Sequence, residues 1–222
     1  INNNRIIGDL TNIASQKALT FYSSFCQGEI FITNSKTAEL AKLSENAFRD
    51  INIAFANELS MICDELDINS KELINLTNKH PRVNILSPGC GVGGHCIAVD
   101  PWFIVNSSKN SILIKTAREI NNKKAQWVLD KIIKEVKRLE VKLRKKILIG
   151  CMGLSFKPDI DDLRESPALE ITKKIIDLGF STIICEPNIK SYSDLEIKSQ
   201  NEVTNNSDLL VFLVAHKEFK NI

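Results

Sequence analysis

"KKILIGCMGL", residues 145 to 154, decides the fold, because the period of the hydrophobic pattern changes there. Upstream, apolar residues recur at helical spacing. Here they run on continuously, which marks a strand buried on both faces of a parallel sheet. Downstream, "SPALEITKKIIDLG" (166–179) reads as a helix with Pro near its start and Gly at its end. "STIICE" (181–186) and "SDLLVFLVAH" (207–216) read as two further strands. Residues 144–222 are therefore expected to form an incomplete β-α-β-α-β unit, a partial doubly wound, Rossmann-like sheet, which makes the chain α/β.

Before residue 144 the pattern is helical. "SKTAELAKLSENAFRDINIAFANELSMICDELDIN" (35–69) contains no Gly or Pro and spaces its apolar residues as a long amphipathic helix. "SKELINLTNKH" (70–80) predicts a shorter helix, with Ser70 as N-cap and Glu72 in the first turn, ended by Pro81. Another long helix is expected over about 112–143. Residues 35–143 thus read as an all-helical central domain. Residues 1–34 read as a linker: 1–9 extended, 15–27 helical, 29–34 a short strand. Ile1 in place of Met, and an apolar run that stops at the other end, suggest a piece of a longer protein.

Of the 222 residues, 43% are hydrophobic and 25% charged, with a formal net charge of +2, as in a globular protein without a basic footprint for nucleic acid. The densest basic run, "KEVKRLEVKLRKK" (134–146), is broken by Glu, Leu and Val and reads as a solvated helix face. No stretch approaches the roughly 18 apolar residues of a membrane span, and the opening residues lack the apolar core of a signal peptide. The six cysteines, at 26, 63, 90, 96, 151 and 185, are scattered through helices and strands, a usage that fits a reducing cytoplasm.

"PGCGVGGHCIAVDP" (88–101) surrounds one thiol with Gly89, Gly91, Gly93 and Gly94 and follows it with Asp100. The run satisfies G-x-G-x-x-G literally. It lacks the preceding strand, the following helix and an acidic residue about 20 positions on that a dinucleotide site needs. Cys90, His95 and Cys96 lack the second ligand pair of a structural zinc site, so no metal is expected. A nucleophilic Cys96 with Asp100 nearby and a buried thiol in a tight turn stand level on composition. Lys42, Asn46 and Arg49 fall on one stripe of the long helix, flanked by Leu43, Ala47, Phe48, Ile51 and Phe55. They offer an amine, an amide and a fixed cation, and tip the reading toward a reactive thiol. His80 and Arg82 flank Pro81 as phosphate ligands or as a helix cap. In "GLSFKPDIDDLRESP" (153–167), Lys157 and Arg164 follow a parallel strand's C-terminal end, where open α/β sheets bind ligands. Asp159, Asp161 and Asp162 read as structural partners of these cations.

The segments "TAELAKLSENAFRDINIAFANELS", "HPRVNILSPGCGVGGHCIAVDPWFI", "GLSFKPDIDDLRESPALEI" and "EPN", in this order, resemble the UDP-glucose/GDP-mannose dehydrogenases. The resemblance covers nearly the whole chain. It implies oxidation of the C6 alcohol of a UDP-sugar to the uronate, with NAD as cofactor, for surface polysaccharide synthesis. Cys96 would be the nucleophile that captures the aldehyde, Lys42 the acid/base or oxyanion-stabilising group, Asn46 its partner and Asp100 the carboxylate near the thiol. Arg49, His80, Arg82, Gly93, Phe156 and Lys157 would contact substrate, and Arg164 the cofactor. The glycines would let the nucleotide-sugar lie against the backbone. "HPRVN" and His95 favour the N-acetylmannosamine branch over UDP-glucose. The resemblance further implies a homodimer through the long helix, residues 1–34 as the end of an NAD-binding domain, and 144–222 as part of a UDP-binding domain. Cys90 departs from the pattern, which expects a residue without a thiol. The alternatives are a non-catalytic dimerisation or nucleotide-sugar-binding fragment, a UDP-glucose-type substrate, and a redox pair of Cys90 and Cys96.

Overall fold

A computed structural model describes residues 2–11, 13–193 and 195–222. The chain opens with strand β1 (Arg5–Asp9), helix α1 (Ile13–Ser23) and strand β2 (Ile30–Asn34). The two strands pair in parallel, with Arg5 opposite Ile30 and Asp9 opposite Asn34. Residues 5–9, expected as extended linker, are therefore half of a β-α-β unit. Five residues carry too little pattern to show a strand whose partner lies beyond an intervening helix.

Helix α2 (Ser35–Glu65) begins where Asn34 accepts the Thr37 N–H on its side chain at 2.9 Å. Helix α3 (Ser70–Thr77) is capped by Asn69, whose Oδ1 accepts from the N–H groups of Lys71 and Glu72. Ser70, expected as the cap, is the first helical residue. Irregular chain leads to α4 (Asp100–Ser107) and then α5 (Ile112–Leu143), which ends at Arg144 in the left-handed region (φ 52°).

The remaining elements are β3 (Ile149–Met152), α6 (Pro167–Asp177), β4 (Thr182–Cys185), α7 (Gln200–Asn206), β5 (Leu209–Phe212) and a short 3-10 turn (Lys217–Asn221). The sheet is all parallel, in the order β4-β3-β5. Strand residues alternate between faces. Ile149 and Cys151 pack in one cluster with Ile132 and Val136 of α5 and Ile171 and Ile175 of α6. Met152 joins Val203 of α7 and Phe219 on the other side. The sheet is doubly wound, as the sequence predicts.

Helix α5 is the joint. Its second half packs on the sheet, while its first half meets α2 through buried polar groups. Asp50 Oδ1 accepts from Arg118 Nη1 at 2.6 Å and from Asn121 Nδ2 at 2.8 Å. Asn57 Nδ2 donates to Asn121 Oδ1 at 2.9 Å, and Asn57 Oδ1 accepts the Gly89 N–H at 2.9 Å. This face of α2 buries Asn46, Asp50 and Asn57, whereas Phe48 and Phe55, expected as an apolar surround, are exposed.

Removing one partner of a buried ion pair leaves the other charge desolvated, a loss of about 3–5 kcal/mol. Asp50→Ala is expected to lower unfolding stability by that amount in urea titrations. Lys174→Ala, which breaks the exposed Lys174–Glu170 pair, should change it by less than about 1 kcal/mol.

Candidate active site

The thiol is positioned by backbone. Cys96 O accepts the N–H groups of Val99 (3.1 Å) and Asp100 (2.8 Å), closing the turn that starts α4. Asp100 then accepts a hydrogen bond on Oδ2 from Asn46 Nδ2 at 2.6 Å. One short chain of bonds therefore links the buried amide on α2, the first carboxylate of α4 and the turn that carries Cys96. Cys96 is the exposed cysteine of the six.

Gly93 and Gly94 hold this segment against the chain that follows β3. The Gly94 N–H donates to Arg164 O at 3.0 Å. A Cβ on Gly93 would lie 2.3 Å from Glu165 O and 2.8 Å from Phe156 Cβ. A Cβ on Gly94, at φ +82°, would lie 2.9 Å from the Phe156 ring. The space their missing side chains leave is thus filled by protein, a reason for these glycines that composition does not reveal.

Beyond them opens a cavity of about 820 Å³ at the C-terminal ends of β3 and β5. The glycine segment contributes Gly89 and Cys90, the loop after β3 contributes Phe156 and Lys157, and α5 contributes Lys124 and Trp127. The loop after β3 is fixed by buried Glu186, whose Oε2 accepts the N–H groups of Leu154 (2.7 Å) and Ser155 (3.1 Å). Buried His216 braces it in turn: Nδ1 accepts the Asp159 N–H at 3.0 Å, and Nε2 lies 3.1 Å from Glu186 Oε2. Asp159 and Glu218 approach His216 closely enough to suggest a metal. The Asp159 N–H already occupies the facing histidine lone pair.

Electrostatics divide the thiols. Burial pushes Cys90 up to about 11, so it stays protonated at neutral pH, and its Sγ meets Leu213 O at 3.5 Å. Hydrogen bonds from Arg164 pull Asp162 down to about 2. Arg164 grips Asp162 through Nε and Nη2, and that carboxylate, with a small contribution from nearby Cys96, holds Arg164 above the usual guanidinium range.

The structure brings Asn46, Asp100 and Cys96 together, and sets Gly93 against Phe156 beside Lys157 and Arg164. It does not join the other expected residues to them. Lys42, with its side chain 66% exposed, bonds Glu45 Oε2 on its own helix at 3.0 Å. Arg49, His80 and Arg82 are exposed, and His80 Nδ1 accepts the Arg82 N–H at 3.3 Å. Sequence reasoning missed Lys124 and Trp127 in the cavity and the Asn57–Asn121 bond. The one signal was polar residues at helix positions where the apolar period would continue.

Residues 36–123 match the central domain of the UDP-glucose/GDP-mannose dehydrogenase family, and residues 150–222 match its UDP-binding domain. The chain belongs to the UDP-glucose/GDP-mannose dehydrogenase family. It is 53% identical to UDP-N-acetyl-D-mannosamine dehydrogenase of Campylobacter jejuni, over 99% of this chain and 55% of that protein. It is 49% identical to NDP-N-acetyl-D-galactosaminuronic acid dehydrogenase of Ralstonia solanacearum, over 100% of this chain and 53% of that protein. The solved UDP-D-ManNAc dehydrogenase of Pyrococcus horikoshii is 36% identical, with a TM-score of 0.88 over 100% of this chain and 52% of its own. The chain spans about half the length of the curated relatives it matches. In this dehydrogenase-family chain α5 starts inside the first matched domain and runs toward the second, and the cavity draws its lining from both and from α5.

Exposure of Cys96, against buried Cys63, Cys151 and Cys185 and half-buried Cys26 and Cys90, predicts selective chemistry. A chromogenic disulfide reagent should modify the native chain fastest at one thiol, and Cys96→Ser should abolish that phase. A fast phase that survives Cys96→Ser would show a different reactive thiol.

Proposed function

We propose that this chain carries the thiol and nucleotide-sugar half of an NAD-dependent UDP-N-acetyl-D-mannosamine 6-dehydrogenase. The reaction turns a C6 alcohol into a uronate in the cytoplasm, for surface polysaccharide. The observation that carries the reading is the Asn46–Asp100 bond at 2.6 Å, next to the turn that holds an exposed Cys96. The names of the relatives supply the substrate class: a nucleotide-linked sugar bearing an N-acetyl group.

In this scheme the C6 alcohol first loses a proton and a hydride. The Cys96 thiolate adds to the resulting aldehyde, forming the S–C bond while the carbonyl oxygen takes a proton. Loss of that proton and of a second hydride gives a thioester; water then adds to its carbonyl, the Cys96 thiolate leaves, and the water's protons are released to give the carboxylate. Asn46 and Lys42 would steady the charge that develops on the oxygen, Lys42 after leaving Glu45. Asp100 would orient the Asn46 amide and serve as a proton acceptor near the thiol. Lys157, Arg49, His80 and Arg82 would contact the substrate, with Phe156 and Gly93 shaping its approach. The exposed Arg164, anchored by Asp162, would be one of the residues that hold the cofactor. NAD, when bound, supplies the hydride-accepting chemistry.

The homodimer would form through α2. Phe48, Phe55 and Ile62 recur every seven residues along it and are all exposed, at 68%, 54% and 45%. A self-complementary apolar seam of this kind suits a two-fold partner.

In the complete enzyme, Cys96→Ser is expected to lower uronate formation by about 10³-fold or more, and Asn46→Ala by about 10²-fold. Wild-type uronate output from Cys96→Ser would remove the nucleophile assignment. UDP binding without any oxidation in the unaltered enzyme would leave a nucleotide-sugar-binding module. Phe55→Asp should shift the sedimentation of the chain from dimer to monomer.

A further inference from the structure

Lys124 sits on the inner wall of the cavity, only 3% exposed. Its ammonium donates to Ser60 Oγ at 2.7 Å and lies 3.9 Å from the centroid of the Trp127 ring. Among the described residues no carboxylate pairs with it. The nearest acid on α2, Asp64, is committed to Lys131. A second cation, Lys157, stands at the exposed edge of the same cavity, over the Phe156 ring at 5.8 Å. A cationic wall with its one acid already paired is short of negative charge. A buried ammonium without a counter-ion is costly to keep.

We propose that Lys124 is the anion-pairing group of this cavity, and that the anion it meets is a phosphate of the bound nucleotide. The proposal rests on the nucleotide-sugar reading above and assigns the deep end of that site. Lys124 lies just past the matched central domain and before the UDP-binding domain, so it belongs to the joint helix. Ser60 holds its Nζ from one side and Trp127 covers another, leaving the remaining N–H donors for the cavity.

A consequence follows for protons. Burial lowers Lys124 to about 8, with Asp64 and then Cys90 pulling the other way. The groups facing it are Asp64 on α2, Lys131 on α5, Cys90 on the glycine segment and Lys157 on the loop after β3. Cys90 stays protonated up to about 11, so it does not change charge between pH 7 and 9, and Asp64 is paired with Lys131. Free Lys124 is therefore charged at pH 7 and mostly neutral at pH 9. A phosphate at its side restores the charged form, so binding at pH 9 takes up a proton that binding at pH 7 does not.

Calorimetry of the 222-residue chain with UDP, in buffers of different ionisation enthalpy, reads this directly. Uptake of about one proton per UDP at pH 9, and almost none at pH 7, is expected. Lys124→Met should abolish the uptake and weaken UDP about 10- to 100-fold at pH 7, with Lys124→Arg restoring much of the affinity. Uridine, which has no phosphate, should bind with the same affinity in wild type and Lys124→Met, and any uptake from its uracil N3 at pH 9 should be the same in both. Equal affinity for UDP and uridine on the unmodified chain overturns the proposal, as does unchanged UDP affinity in a folded Lys124→Met. An equal loss of uridine and UDP affinity in a folded Lys124→Met also overturns it, placing the nucleobase there instead. Pyrophosphate binding that depends on Lys124, without UDP binding, would keep the anion site and sink the nucleotide reading.

Discussion

The buried bonds between α2 and α5 are the constraint on which the rest depends. Asp50 with Arg118 and Asn121, and Asn57 with Asn121, lock two long helices in one register. A desolvated ion pair contributes little net stability over a well-packed apolar contact. It does punish any sliding, because each shift would leave a buried charge or amide unpaired. Asn57 then reaches on to the Gly89 N–H, so the same register fixes where the glycine segment starts. Asn46, eleven positions earlier on α2, fixes where it ends through Asp100. Both ends of the segment are tied to a single rigid helix.

Between those ties the segment is pressed against a second rigid body. Phe156, Glu165 and Pro167 occupy the space beside Gly93, and they follow β3, the central strand of the sheet. Helix α5 packs on that sheet and against α2, so the thiol turn and the cavity keep a fixed relation. This separates the two nearby thiols by environment. Cys90 lies inside, protonated and held to Leu213 O; Cys96 lies outside on the turn. A redox pair of the two would have to bring a buried, protonated sulfur to an exposed one across a segment tied at both ends.

Much of this was legible in the sequence where one residue pattern sets one local structure. The change of period at residue 145 marks the parallel sheet, and the uninterrupted run from 35 marks α2. Asn46 stood out in the sequence on the Lys42–Asn46–Arg49 stripe and Asp100 by following Cys96 closely, and the structure joins these two side chains. What stayed hidden depends on partners distant in the chain. Strand β1 exists through its pairing with β2, beyond α1. Asn69 takes the cap from Ser70 because its side chain reaches two N–H groups at once. Lys124 looks like any solvated lysine until α2, Trp127 and the glycine segment close around it.

Helix α2 shows how a correct periodicity can assign the wrong faces. An amphipathic helix is expected to bury its aromatic residues and expose its amides. Here Asn46, Asp50 and Asn57 are buried, and Phe48 and Phe55 are exposed. The inversion follows from what each face must do. The inward face has to hold the polar groups that place Asp100 and Gly89, and α5 answers them with polar groups of its own. The large apolar residues are displaced to the opposite side, where contiguous exposed apolar surface calls for a partner. A second copy joined along that seam would stiffen the helix that already sets both ends of the thiol segment. In the proposed dimer, pairing of the chains and placement of Cys96 would be properties of one helix, read from its two faces.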